Sequence, residues 1–238
     1  MTLHEDQAAR LDAITEWATH IGSIGDVWKP AEQLVHLRPS ATGIRLVDLH
    51  PSRPQLDRGK IDGAWAVKEH FTGLLSVPYA GSPGRDTPEK ALQSWLIADA
   101  YRNARAMSAV THGLYFVTDE QVLQSGTTTT VCDILAYRKT YTGLVPVLIE
   151  LKSKRAMSQL VEQLRFSDVI DAHGERFARL YSAILGQPIT FAGKCERYLI
   201  WPAAPGYPRD PRADELKQQN IHVFAYEPSP PNGFRIRR

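Results

Sequence analysis

Val145-Pro-Val-Leu-Ile-Glu150-Leu-Lys152-Ser-Lys154 decides how this chain is read. Val145, Val147, Leu148, Ile149 and Leu151 fall on both alternating faces, so the run predicts a β-strand covered on both sides. Glu150 and Lys152 interrupt it two residues apart, which sends their side chains out on the same side. A buried charge costs several kcal/mol unless it is paired or holds a metal. A strand that accepts a carboxylate and an amine in its apolar run therefore points to chemistry.

A second carboxylate lies upstream. Thr127-Thr-Thr-Thr-Val131-Cys-Asp133-Ile-Leu-Ala-Tyr137 is β-branched and aromatic, the composition of another strand. Arg138 to Gly143 reads as the turn between the two. An antiparallel hairpin about the Tyr141–Thr142 midpoint sets Asp133 opposite Glu150, with Cβ atoms about 5 Å apart. Two carboxylates so placed repel unless positive charge lies between them. A hard, oxygen-seeking cation such as Mg²⁺ answers that need, and Lys152 on the same face can stabilise an anion or orient a water. The rival reading is a salt-bridged Asp/Glu/Lys cluster that only holds the hairpin together.

Asp133 followed by Glu150-x-Lys152 on the next strand resembles the PD-(D/E)xK, or restriction-endonuclease-like, nuclease superfamily. Glu-x-Lys alone has no specificity; its place in an apolar strand, the Asp across a hairpin and the order of the flanking elements give it weight. A helix from about Pro88 to Met107 precedes strands near 113–118, 129–137 and 144–153. A long helical region, about 157–185 and broken at His173-Gly174, follows. Strands near 197–201 and 221–226 enclose a helix at 212–219. The chain departs from the family pattern at Cys132, where a proline is usual.

The resemblance covers about residues 86–227. It implies an α/β fold with a restriction-endonuclease-like core, a central mixed β-sheet flanked by helices, and an N-terminal α+β extension. The implied domains are 1–80 (extension, for recognition or dimerisation), 81–227 (nuclease-like core) and 228–238 (a basic, flexible tail). The implied activity is metal-dependent hydrolysis of DNA phosphodiester bonds, with endonuclease slightly ahead of exonuclease and both left open, and with Mg²⁺ as cofactor and Mn²⁺ as substitute. Asp133 and Glu150 would hold the metal with the Leu151 carbonyl, and Lys152 would complete the catalytic set. The alternative is a non-cleaving nucleic-acid-binding or assembly subunit with the same fold.

Glu89 is carried over as a further metal ligand, since it opens the first helix behind the N-cap Thr87 and Pro88. A Glu in a first turn also simply complements the helix dipole. Gln159 and Gln163 lie four apart on one face of the later helix, where exonuclease-like members carry a glutamine near the scissile phosphate. Residues 1–137 carry 12 Lys/Arg against 16 Asp/Glu, and residues 138–238 carry 16 against 10. The basic half opens with Arg138, Lys139, Lys152, Lys154 and Arg155, a distribution suited to gripping phosphates. A solvated charged surface is the plainer account of such runs.

The apolar 43% and charged 23% of 238 residues are ordinary for a globular protein. No apolar run is long enough to span a membrane. The acidic start Met1 to Asp6 reads as no secretory signal, and Cys132 and Cys195 sit in predicted strands as buried thiols, so a reducing cytoplasm is expected. The eight histidines show no ligand spacing. Residues 5–21 predict an amphipathic helix, with Leu11, Ile14, Trp17, Ala18 and Ile21 on one stripe, ended by Gly22 and Gly25. A short helix at Pro30–Leu37, strands at 43–49, 63–69 and 74–79, and an irregular loop carrying His50, Arg53, Arg58 and Lys60 complete the extension. A homodimer and a protein partner in a larger system are both left open.

Overall fold

The computed structural model of the chain describes residues 5–24, 27–28, 34–50, 53–61, 87–125, 128–155, 160–204, 213–229 and 233–238. Helix α1 (Glu5–Ile24) comes first, then strands β1 (Val27–Trp28), β2 (Leu34–Ser40), β3 (Gly43–His50) and β4 (Arg53–Ile61). Helix α2 (Pro88–Arg102) precedes strands β5 (Leu114–Ser125), β6 (Thr128–Thr140) and β7 (Gly143–Leu151). Helices α3 (Leu160–Ala172) and α4 (Gly174–Leu185), strand β8 (Glu196–Pro202), helix α5 (Ala213–Gln218) and strands β9 (Ile221–Ser229) and β10 (Gly233–Arg237) follow.

The strands form a four-stranded sheet, β1-β2-β3-β4, and a six-stranded sheet, β10-β9-β8-β7-β6-β5. The larger sheet is mixed: β5, β6 and β7 pair antiparallel, β7, β8 and β9 run parallel, and β10 returns antiparallel to β9. On one face Leu11, Ile14 and Ala18 of α1 join Phe166 and Ile170 of α3 and Phe177 and Leu180 of α4 over Leu135, Leu148, Leu199 and Trp201. On the other face Leu92, Leu96 and Ile97 of α2 pack with Ile134, Val147, Ile149 and Ile200, and Leu34 and Leu49 of the smaller sheet join the same cluster. Each such side chain contributes about 1.5–3 kcal/mol by leaving water, so the central strands β6, β7 and β8 are anchored from both faces. The chain is thus an α/β protein with a mixed sheet flanked by helices.

The hairpin of β6 and β7 turns at Tyr141-Thr142, with Thr140 paired to Gly143 and Ile134 to Ile149. Gly143 has φ of 133°, and a Cβ built there would stand 2.8 Å from Ala192 Cβ. Glycine is required at this corner both by conformation and by space. The break expected at His173-Gly174 separates α3 from α4.

Several expectations are corrected. The strands run to Thr140 and restart at Gly143, so Arg138 and Lys139 are strand residues and the turn is only two residues long. Residues 34–37 are strand rather than helix, because β2 pairs along its length with β3. Arg53 to Lys60 are likewise strand, since pairing with β3 overrides Pro54 and Gly59. Residues 233–237 form an edge strand instead of a loose tail, because Phe234 and Ile236 alternate inward against the α2-side core. Helix α1, assigned to a separate extension, closes the main core and reaches α4, where Asp12 pairs with Arg176. It also continues past Gly22 to Ile24. The expected strands at 63–69 and 74–79 and the boundary passage before Thr87 lie outside the described residues.

Candidate functional site

Asp133, Glu150 and Lys152 meet at one end of the β6–β7 hairpin. The last paired residues there are Ile134 and Ile149, so one further step sets Asp133 across from Glu150. Both carboxylates are buried, at 8% and 3% exposure. Asp133 Oδ2 accepts from the Leu151 N–H at 2.8 Å. Lys152 Nζ donates to Glu150 Oε1 at 2.6 Å, while its amide continues the parallel ladder to Ile200 O at 3.0 Å.

Glu89 is brought to the same place. Thr87 caps α2 by accepting from the Lys90 N–H at 3.3 Å, and Pro88 opens the first turn. Glu89 Oε2 then accepts from the Ser153 N–H at 3.1 Å, just beyond Lys152. The helix start and the exit of β7 are thereby tied together through the one carboxylate.

The electrostatics follow from crowding acids out of water. Burial, then repulsion by Asp133, pushes Glu150 up to about 8 against the pull of Lys152. Burial, then the Asp133 charge, also raises Glu89, opposed by Lys152, Lys90 and the Ser153 amide. Glu150 Oε2 is buried and has no hydrogen-bond partner among the described residues. Asp133 is its neighbour there, and two carboxyls so close hold between them either a proton or a hard divalent cation. Asp133 and Glu150 are the residues that fit such an ion, with Glu89 close by. Among the described residues, no three His, Cys, Asp or Glu side chains already converge at ligand distance. Leu151 enters through its amide on Asp133, whereas its carbonyl was the expected contribution.

The other expected residues divide. Lys154 is exposed on the segment leaving β7. Arg155 lies 4.8 Å over the Trp201 ring and donates to Pro202 O at 3.3 Å. Arg138 and Lys139 are not brought to the site. Arg138 pairs with Val145, five residues before Glu150, and at about 3.4 Å per residue that is about 17 Å away. It forks onto Glu196, and Lys139 lies 4.5 Å over the Tyr115 ring. Gln163 lies on α3, its side chain outside those described, and Gln159 lies outside the described residues altogether. Cys132 and Cys195 are free and buried, and burial holds both thiols protonated.

A polar network behind the site escaped the sequence reading. Asp119, fully buried, accepts from His36 Nε2 at 2.7 Å, Arg38 Nε at 2.8 Å and Gln55 Nε2 at 3.0 Å. Burial alone would raise this carboxyl, but Arg38 and His36 hold it well below the ordinary range. Lys90 bridges Glu120 at 2.7 Å and Gln93 at 3.0 Å. The polar run Asp119-Glu120-Gln121 inside a strand was the available signal. No protein-family model matches the chain, and no curated protein matches it.

Proposed function

We propose that the protein is a metal-dependent DNA nuclease with a restriction-endonuclease-like arrangement, its cofactor Mg²⁺ with Mn²⁺ as substitute. The observation that carries this reading is the buried Asp133–Glu150 pair, in which Glu150 has one oxygen unpartnered and the other 2.6 Å from Lys152 Nζ. Asp133 and Glu150 would hold the cation, assisted by Glu89. When bound, such an ion neutralises phosphate charge and acidifies the attacking water. Lys152 Nζ, part-buried beside Glu150, would donate to a non-bridging phosphate oxygen and stabilise charge built up in the transition state. Asp133 is held in orientation by the Leu151 amide, which supports its proposed part in holding the ion. Lys154 and Arg155 leave the same strand and suit contact with the phosphate backbone. The proposed setting is the cytoplasm; among the described residues, no helix is long and apolar enough to cross a membrane.

The test is cleavage of linear, circular and single-stranded DNA with Mg²⁺, Mn²⁺ or EDTA, comparing wild type with Lys152→Ala. Cutting should need the metal and vanish in the variant while DNA binding persists. Full turnover by Lys152→Ala would remove the assignment. The Lys152–Glu150 ion pair also favours a second reading, a binding subunit in which that pair is a permanent lock. Such a subunit would shift DNA in gels, cut none, and show no Mn²⁺-linked rise in Tm.

A further inference from the structure

We infer that Gln93 is a positioning residue for Asp133, an inference that rests on the proposed role of Asp133. Asp133 falls in a gap of both ladders that flank β6. Pairing with β5 passes from Asp119–Ile134 to Gln121–Cys132, and pairing with β7 stops at Ile134–Ile149. The cause lies in β5, where Glu120 has φ of 44° and drops out of the ladder opposite Asp133. Non-glycine residues enter that region at a cost, and such strain gathers where a side chain must be re-aimed. Both ladders thus release the Asp133 main chain, and its buried carbonyl needs another donor.

Gln93 supplies it. Its side chain is fully buried, and Nε2 donates to Asp133 O at 3.0 Å. Oε1 accepts from Lys90 Nζ at 3.0 Å, which fixes the amide orientation. Nε2 also lies 3.5 Å from Asp119 Oδ2, and Asp119 is gripped by His36 and Arg38 of β2. The main chain at Asp133 is therefore held from α2, and through Asp119 from the smaller sheet, while its carboxylate is held by the Leu151 amide of β7. Supports of this kind behind a ligand tune its metal affinity.

Gln93→Met keeps the volume and removes the donor. Tyr181→Phe is the matched control, since Tyr181 Oη donates to Ala136 O at 3.1 Å, three residues along β6. Two readouts are taken: Mn²⁺ affinity by calorimetry, and amide exchange at Leu151, whose N–H reports the Asp133 carboxylate. Gln93→Met should weaken Mn²⁺ about tenfold and speed Leu151 exchange about fivefold, the factor for one lost hydrogen bond. Tyr181→Phe should change neither. Unaltered Leu151 exchange in folded Gln93→Met, or equal effects in both variants, overturns the inference. If wild type neither binds Mn²⁺ nor cuts DNA, yet Leu151 exchange still rises only in Gln93→Met, the nuclease reading falls and the positioning role stands.

Discussion

Replacing Glu150 with Gln should change the pH dependence of stability more than its size. Burial and Asp133 carry this carboxyl from its ordinary 4.5 up to about 8 in the folded protein. A carboxyl raised by folding binds its proton more tightly in the native state than in the unfolded chain. Its stabilising contribution is thus fully present below pH 4.5 and is lost as pH rises through 8. At about 1.4 kcal/mol per pH unit over that interval, the loss amounts to about 5 kcal/mol. The amide of Glu150→Gln would keep an oxygen for Lys152 Nζ and has no proton to lose. Urea unfolding followed by tryptophan fluorescence, in EDTA at pH 5, 7 and 9, gives the difference between the two proteins. All other titrating groups are shared, so the difference isolates Glu150 with its coupling to Asp133 and Lys152. Relative to the variant, wild type should lose about 4 kcal/mol between pH 5 and 9, the part of that window the assay spans. A difference that stays flat within about 1 kcal/mol would refute the claim that burial and Asp133 together hold Glu150 protonated at neutral pH. Adding Mn²⁺ should reverse the trend, because a cation competes with the proton and gains as pH climbs.

Two further variants probe the surroundings. Asp119→Asn takes the buried carboxylate away from Arg38 and leaves it the part-exposed Glu120, and should cost about 3 kcal/mol in chemical denaturation, as one-sided breaking of a buried pair does. Arg138→Ala removes a part-exposed ion pair with Glu196 and should cost less than about 1 kcal/mol. Because it stands far from Glu150, cleavage rate and DNA affinity should both survive that change; a large fall in either would return Arg138 to the site.

What could be read from residues alone follows a physical division. β7 and β6 were legible because an apolar run and a β-branched run are local signals, and their register followed from a symmetric turn. Helix α2 announced itself through Thr87 and Pro88, and α1 through its stripe. β2 was not legible because His36 and Arg38 are polar yet buried, each satisfied by Asp119 more than 80 positions away. No pattern of alternation can show a residue that is inside because of a distant charge. β4 hid behind Pro54, Asp57 and Gly59, which read as loop until β3 supplies the pairing. Within the site, Asp133, Glu150 and Lys152 were legible from spacing and Glu89 through the family resemblance, while Gln93 was not: its partner is a main-chain carbonyl beside a backbone irregularity at Glu120. Arg138 and Lys139 were misplaced for a related reason, since a turn's length depends on how far the flanking strands hold together.

The edge strand β10 has a bearing on solubility. Sheet borders offer unpaired amides and carbonyls to any other chain, and β9, with Ile221, Val223, Phe224 and Tyr226 buried along it, would be an inviting border. β10 covers it with a strip that turns Phe234 toward Trp95 and Tyr226 and presents exposed Arg235 and Arg237 to solvent. Arg237 is tied to Glu227, while Arg235 and Arg238 stay exposed; two such borders brought together would still crowd these guanidinium groups, which discourages the runaway strand-by-strand addition from which fibrils grow.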